Sequence, residues 1–270
     1  MEAERTWREA LDAPYPLAPE QVEAFRRDGY VRLRGVFPAE LTAHYREVFL
    51  RLSAEDRRPR KAMEERSTFE RAFHQVFNLW RRDDEARAFV FSRRLAGIAA
   101  GLLEVDGVRL YHDQALTKEA GGGHTPWHAD QYYWPLSSDR TVTAWVPLQP
   151  VSLEMGPLSF SPGSQRMELG RDKEIGDEGE AMIAQVLADA PLDERPFEAG
   201  EVSFHGGWTF HRAGPNGTDE TRAAMTVIYM DAAMRLVEPA NPAQDFDRQA
   251  WCRGATVGEV IDGPLNPVLF

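Results

Sequence analysis

The chain has 270 residues and a formal net charge of −12, a balance that argues against sustained contact with nucleic acid or an anionic membrane surface. Its single cysteine, Cys252, excludes a disulfide framework and a thiolate metal site. No apolar run approaches the ~20 residues needed to span a bilayer, and the first residues, Met1-Glu2-Ala3-Glu4-Arg5-Thr6-Trp7, lack the basic-then-apolar layout of a signal peptide, so a cytoplasmic protein is expected.

The first hundred residues read mostly as helix. Ala18 to Phe25 opens with Pro19 and Glu20, which suit a helix N-terminus, and Asp28-Gly29 ends it. Tyr30 to Arg34 alternates like a strand, and Pro38 to Leu52 is again amphipathic helix. Arg57 to Arg66 is charged without apolar period and reads as an exposed loop; Ala86 to Leu103 reads as one or two helices.

Past residue 105 the texture changes to short alternating runs. Val108 to Leu116, Thr141 to Leu148, Leu158 to Ser164, Glu201 to His205, Thr209 to His211 and Ala223 to Met230 are predicted strands. Gly and Pro clusters punctuate them, including Gly121-Gly122-Gly123 and Gly214-Pro215-Asn216-Gly217, a pattern of sandwiches and barrels. Met167 to Ala190 interrupts the strands, acidic and helical over Glu178 to Leu187. Its stripe Met182, Ile183, Val186 and Leu187 needs a surface to pack on: the segment is expected to be a lid over the barrel mouth that gates substrate, the alternative being that it docks on the outer wall. The expected layout is one domain, with 1–105 as helical support, 106–235 as barrel core and 236–270 as a C-terminal extension.

The chemistry concentrates in Trp127-His128-Ala129-Asp130. A His and an Asp two apart on an extended segment point to the same face, and a second His from a distant strand, His211, completes two imidazoles and one carboxylate. That set holds one face of a non-haem Fe(II) and leaves the other open to a co-substrate and O₂. The His-x-Asp pair alone carries little weight, since a lone strand His is ordinarily a partly exposed residue. Arg222 adds to it: an Arg opening an otherwise apolar strand must be paired, and a guanidinium takes a carboxylate in bidentate fashion, so a dicarboxylate co-substrate is a natural partner. Trp145 is placed to wall such a site. His112 and Gln114 share a strand face, either as contacts to co-substrate or substrate or as a satisfied polar pair in the wall. His205 is the rival to His211 but lacks the following Gly-Pro-Asn turn. Lys118 reads as a snorkelling surface residue, and His124 as part of a turn. Phe73, Phe77, Leu79, Trp80, Tyr132, Tyr133, Trp134 and Trp208 are candidates for an aromatic pocket or for plain core.

In combination these residues resemble the phytanoyl-CoA dioxygenase-like family of iron(II)/2-oxoglutarate oxygenases. The likeness runs through Asp28-Gly29-Tyr30-Val31, Trp127-His128-Ala129-Asp130-Gln131, Glu154-Met155-Gly156-Pro157-Leu158, Ser161-Pro162-Gly163-Ser164 and His211-Arg212-Ala213-Gly214-Pro215-Asn216, with Arg222 eleven residues after His211. It implies a mainly β fold, a double-stranded β-helix (jelly-roll, cupin-like) core with N-terminal helices on one side. It implies Fe(II) on His128, Asp130 and His211, 2-oxoglutarate on Arg222 with Trp145 lining its pocket, and O₂ as oxidant. Ala129 stands where many members carry Gln. Asp130 stands where halogenating members carry a small residue, which favours hydroxylation or another oxidation over halogenation, on a small or medium organic molecule such as a secondary metabolite. Desaturation, epimerisation or ring closure with the same cofactors, and a non-catalytic cupin-like binding module, stay open as alternatives.

Overall fold

The computed structural model describes residues 2–270. Its N-terminal part alternates helices with two short strands: α1 (Glu2–Asp12), α2 (Pro19–Asp28), β1 (Tyr30–Leu33), α3 (Ala39–Ala54), α4 (Thr68–Ala72), β2 (His74–Phe77), α5 (Asp84–Val90) and α6 (Arg93–Leu103). There follow β3 (Val108–Lys118), β4 (Thr125–His128), β5 (Thr141–Pro147), β6 (Leu158–Phe160), α7 (Asp177–Val186), β7 (Val202–Gly206), β8 (His211–Ala213), β9 (Arg222–Asp231) and α8 (Pro242–Trp251).

The strands form a six-stranded sheet in the order β1-β7-β5-β9-β3-β2 and a three-stranded sheet in the order β4-β8-β6, with every pairing antiparallel. The two sheets face each other as a double-stranded β-helix, and β1 and β2 extend the larger one at its edges. The two-residue period of a strand decides what each face carries. Val142, Ala144 and Val146 of β5, and Ala223, Met225, Val227 and Tyr229 of β9, turn to the helices and join one core with Leu41, Phe49, Phe89 and Ile98. Full burial of an aliphatic or Phe side chain is worth about 1.5–3 kcal/mol, so this layer anchors the large sheet. The alternate residues, among them Thr143, Trp145, Arg222, Thr226 and Ile228, point between the sheets. In β3 the register slips between Leu110 and His112. This bulge turns both Tyr111 and His112 to the interior, as an extra residue in one strand re-aims its neighbours.

α2 has the start its sequence predicts and ends at Gly29, whose φ of 82° is left-handed. The Gly29 carbonyl accepts from the Gly206 N–H at 2.9 Å and the Thr209 hydroxyl at 2.7 Å. A Cβ there would lie 2.5 Å from Thr209 Oγ1, so the end of α2 is tied to the loop that leads into β8. The strand predicted over Thr209 to His211 is shifted for this reason. Thr209 is held by Gly29 and the Phe210 N–H donates to Ser164 Oγ at 2.9 Å, so pairing begins at His211. β2 and α8 have no counterpart among the predicted elements.

Asp113, on the helix-facing side of β3, is fully buried, and neither carboxylate oxygen has a hydrogen-bond partner of good geometry. Burial pushes its carboxyl up to about 8. The folded state therefore binds this proton more tightly than the unfolded chain. Its stability cost is absent below the ordinary carboxylate range near pH 4 and grows as pH rises towards 8. Asp113→Asn is expected to leave urea unfolding at pH 4 nearly unchanged and to stabilise the protein at pH 8 by a few kcal/mol, since each unit of upward shift costs about 1.4 kcal/mol once the unfolded chain's carboxyl is ionised. An equal effect at both pH values would contradict a neutral Asp113.

Candidate active site

A cavity of about 610 Å³ lies between the sheets, and it collects His128, Asp130, His211, Arg222, Trp145, His112 and Gln114. His128 is the last residue of β4, Ala129 continues in extended conformation, and Asp130 opens a short 3₁₀ turn. The two-residue spacing therefore does aim both side chains at the same face. His211 opens β8 and is paired with His128 across the small sheet. The rings of His128 and His211 lie 4.1 Å apart between centroids. Each Nε2 is 3.8 Å from Asp130 Oδ1, and one ligand atom from each of the three residues falls within 4.8 Å of the other two.

The proton positions favour a cation between them. His128 Nδ1 sits 2.8 Å from the Pro126 carbonyl and His211 Nδ1 2.9 Å from the Thr209 carbonyl. A carbonyl only accepts, so both Nδ1 atoms carry hydrogen and both Nε2 lone pairs face the shared space. Burial, and then the neighbouring His211, pushes His128 down to about 4. Burial, and then His205, does the same to His211. Burial alone would raise Asp130, but His211, His205 and His128 act against it and hold its carboxyl below the ordinary carboxylate range. Thr143 Oγ1 donates to Asp130 Oδ2 at 2.9 Å, and His205 Nε2 is 3.3 Å from the same oxygen. His205 thus stands behind the carboxylate and outside the three-residue cluster. Two neutral imidazoles and one carboxylate on one face are the donor set that suits Fe(II).

Arg222, the first residue of β9, is 2% exposed. It donates through Nη1 to the Gly156 carbonyl, its Nε has no partner, and among the described residues no carboxylate pairs with it. Burial pushes its guanidinium down to about 10. Such a cation is costly unless a carboxylate meets it, and the cavity leaves room for one. The carbonyl that reaches it belongs to Gly156, whose φ is 71° and whose added Cβ would lie 2.2 Å from the Gly214 carbonyl oxygen. Only glycine allows that approach. Trp145 lies beneath the guanidinium, 5.6 Å from ring centroid to Cζ. Asn216 fixes the turn before β9, its side-chain amide donating to the carbonyls of Lys118, Glu119 and Glu220.

Two expectations need correction. Lys118 is no surface residue: β3 runs on to it, it is fully buried, and its ammonium donates to the carbonyls of Gly123 at 2.5 Å and Gly214 at 2.8 Å. The aromatic set divides. Phe73, Phe77, Tyr132, Tyr133 and Trp134 line the cavity, whereas Leu79 and Trp80 belong to the helical core, and Trp208 packs by α7. His124 is exposed. His112 is buried in the wall, with its Nδ1 unpartnered, and Gln114 accepts from Gln75 Nε2 at 2.5 Å.

The sequence reading missed Phe69, Asp247, Phe246 and Trp251, which also line the cavity. Asn241-Pro242 is a readable helix start, with Asn241 capping the Gln244 N–H at 2.8 Å. Nothing local says that this helix closes over the mouth.

The interrupting segment meets the cavity only through Glu174 and Ile175. Its apolar stripe docks outside. Ile183 and Leu187 of α7 pack on Trp127 and Phe210, and Glu180 accepts from the Trp127 N–H at 2.5 Å. Trp127 points away from the cavity because His128, its neighbour on β4, points into it.

The sequence profile of the phytanoyl-CoA dioxygenase family matches residues 25–224. The ectoine dioxygenase of Stutzerimonas stutzeri (strain A1501) is 24% identical over 257 residues, covering 84% of both chains. The crystal structure of the non-heme alpha ketoglutarate dependent carbocyclase SnoK from nogalamycin biosynthesis superposes with a TM-score of 0.78 at 27% identity, covering 96% of this chain and 100% of that one. The epimerase SnoN, in complex with Fe³⁺, alpha ketoglutarate and nogalamycin RO, superposes with a TM-score of 0.76 at 29% identity, covering 93% and 98%.

The docking of α7 generates a direct test. Ile183 is fully buried and Met182 is 37% exposed. Ile183→Ala is expected to cost about 2–5 kcal/mol in urea unfolding of the metal-free protein, and Met182→Ala well under about 1 kcal/mol. Equal, small losses would mean that α7 is not seated on β4.

Proposed function

Since the chain belongs to the phytanoyl-CoA dioxygenase family and is an iron(II)/2-oxoglutarate-dependent dioxygenase, we propose that it hydroxylates an unactivated C–H bond of a small or medium organic molecule. In this reading His128, Asp130 and His211 hold the iron, and Arg222 holds the distal carboxylate of 2-oxoglutarate. The observation that carries it is the pairing, within one cavity, of two free imidazole lone pairs facing an ionised carboxylate with a buried guanidinium that has no acid of its own. A barrel that merely bound metal would have no need of that guanidinium.

When bound, Fe(II) with O₂ supplies the oxidising chemistry that converts 2-oxoglutarate to succinate and CO₂ and oxidises the substrate. The chain's own residues prepare for it. Pro126 and Thr209 hold the tautomers of His128 and His211. Thr143 and His205 hold the orientation of Asp130. Trp145 and Leu158 wall the space between the metal set and Arg222 and keep it dry, which strengthens the carboxylate–guanidinium attraction. His112 and Gln114 are proposed as contacts on the β3 side. Residues 1–270 are read as one catalytic domain, because helices from its beginning and α8 near its end both serve the same barrel. The similarity to a carbocyclase and an epimerase supports a second reading, ring closure or epimerisation with the same residues. Product mass separates the outcomes. Hydroxylation adds one oxygen atom, ring closure or desaturation removes two hydrogens, and epimerisation leaves the mass unchanged.

Two measurements test the site. Anaerobic protein loaded with Fe(II) is expected to gain a weak visible absorption band on addition of 2-oxoglutarate, and Asp130→Ala to lose both the bound iron and the band. Arg222→Met is expected to keep its iron and to need about thirtyfold to several-thousandfold more 2-oxoglutarate for the same band, since breaking a buried charge pair typically costs about 2–5 kcal/mol. An unchanged requirement in Arg222→Met would reject the co-substrate assignment.

A further inference from the structure

We propose that the outer half of the cavity binds a protonated amine carried on a ring-bearing or otherwise apolar framework, with Asp247 of α8 as its counter-charge and Glu174 as a second carboxylate at the rim. The proposal rests on the reading that gives the inner half to iron and 2-oxoglutarate. Its basis is the distribution of charge around the cavity. Apart from histidines and tyrosines, the acidic and basic side chains that line it are Arg222, Asp130, Asp247 and Glu174. Fe(II) and Arg222 balance Asp130 and the two carboxylates of 2-oxoglutarate. Asp247 and Glu174 then remain with no lining cation to meet them. The nearest basic residue in sequence, Arg248, turns to Asp245 instead, at 2.7 Å.

Asp247 is 7% exposed and yet faces the cavity. Its Oδ2 accepts from the Tyr111 hydroxyl at 3.0 Å, a contact made possible by the β3 bulge that turns Tyr111 inward. Trp251, on the same helix, also directs its side chain to this carboxylate and, like Tyr111, favours its ionised form. The surroundings are aromatic. Trp251, one helical turn on, lies 4.9 Å from the ring of Phe77 and 4.9 Å from that of His112, and Tyr132 and Phe246 stand at the same mouth. A carboxylate among aromatic rings suits an ammonium group, which gains an ion pair and the attraction of the ring faces together. The rings also give an apolar framework its contact area. Burial pushes the Asp247 carboxyl up to about 7, and an ammonium group bound against it would lower it again.

A purely structural role, in which Asp247 only pins α8 to Tyr111, is separated by charge. In Asp247→Asn the amide oxygen still accepts from Tyr111 while the negative charge is lost. The test uses the full chain, anaerobic and loaded with Fe(II) and 2-oxoglutarate, and calorimetric titration with three probes of one shape: naphthylmethylammonium, naphthylmethanol and naphthoate. The wild type is expected to bind the ammonium probe about tenfold or more tighter than either other probe. Asp247→Asn is expected to remove most of that preference and leave the affinity for the alcohol within about twofold, with Glu174→Gln showing a smaller loss in the same direction. No preference for the ammonium probe in the wild type, including no binding at all, overturns the proposal. So does a preference unchanged in Asp247→Asn, or an equal loss for ammonium and alcohol. The visible band with 2-oxoglutarate reports on the inner half separately: a band with no amine preference rejects this inference alone, and absence of the band rejects the reading beneath it.

Discussion

The large sheet's two-sided burial is the constraint on which the rest depends. Its strands carry Val, Ala, Met and Tyr on one face and Thr, Trp, His and Arg on the other. The apolar face is sealed by helices, and that layer pins the register of β5, β7, β9 and β3. A slip of one residue would carry Arg222 and Trp145 into the helical core and Ala223 and Val146 into the cavity. The polar interior is therefore held in place by the apolar exterior. Arg222 is held at the head of β9, paired across the ladder with Lys118 of β3 and bonded to the Gly156 carbonyl.

Charge is handled in the same economical way. Asp130 is held in its buried position through Oδ2, which accepts from the Thr143 hydroxyl and lies 3.3 Å from His205 Nε2. Lys118 and Arg222 are cross-strand neighbours on β3 and β9, and no carboxylate of the described residues meets either. They differ in what satisfies them. Lys118 is met by carbonyls of the glycine turn and of the turn after β8, so it staples those turns together. Arg222 keeps part of its guanidinium unpaired, so it is the one that can still receive a carboxylate. The Gly-Pro-Asn turn after His211 serves both, since Asn216 binds the backbone at Lys118 and at Glu220.

Much of this was legible from the sequence, and the boundary between what was and what was not is physical. His128-Ala129-Asp130 is visible because the geometry of two residues in extended chain is local. Arg222 is visible because a charged residue at the head of an apolar strand is out of place unless something meets it. The alternation of β5 and β9 predicts their two faces directly. Lys118 was misjudged because one of its two carbonyl acceptors, that of Gly214, comes from a turn 96 residues further along the chain. The start of β8 was misplaced because Gly29 and Ser164, far upstream, take Thr209 and Phe210 out of the ladder. α8 begins with a readable Asn-Pro, yet its position over the mouth follows only from how Trp251 meets Phe77 and His112, three residues from three separate elements.

These differences mark a division within the site itself. The groups assigned to metal and co-substrate sit on strands whose positions are fixed from both faces, and short-range sequence rules find them. The other groups that line the cavity come largely from connections and late additions: Phe69 and Phe73 before and within the approach to β2, Tyr132 and Tyr133 in the turn after Asp130, Glu174 and Ile175 ahead of α7, and Phe246, Asp247 and Trp251 on α8. Loops and peripheral helices accept changes that a strand held on both faces cannot. A fold of this kind can keep its chemistry while its outer wall is rebuilt. That is consistent with a carbocyclase, an epimerase and an ectoine dioxygenase all lying within 24–29% identity of this chain. Substrate choice can therefore change in the outer half of the cavity without disturbing the strands, and in this chain that half carries a buried carboxylate, Asp247, among aromatic rings.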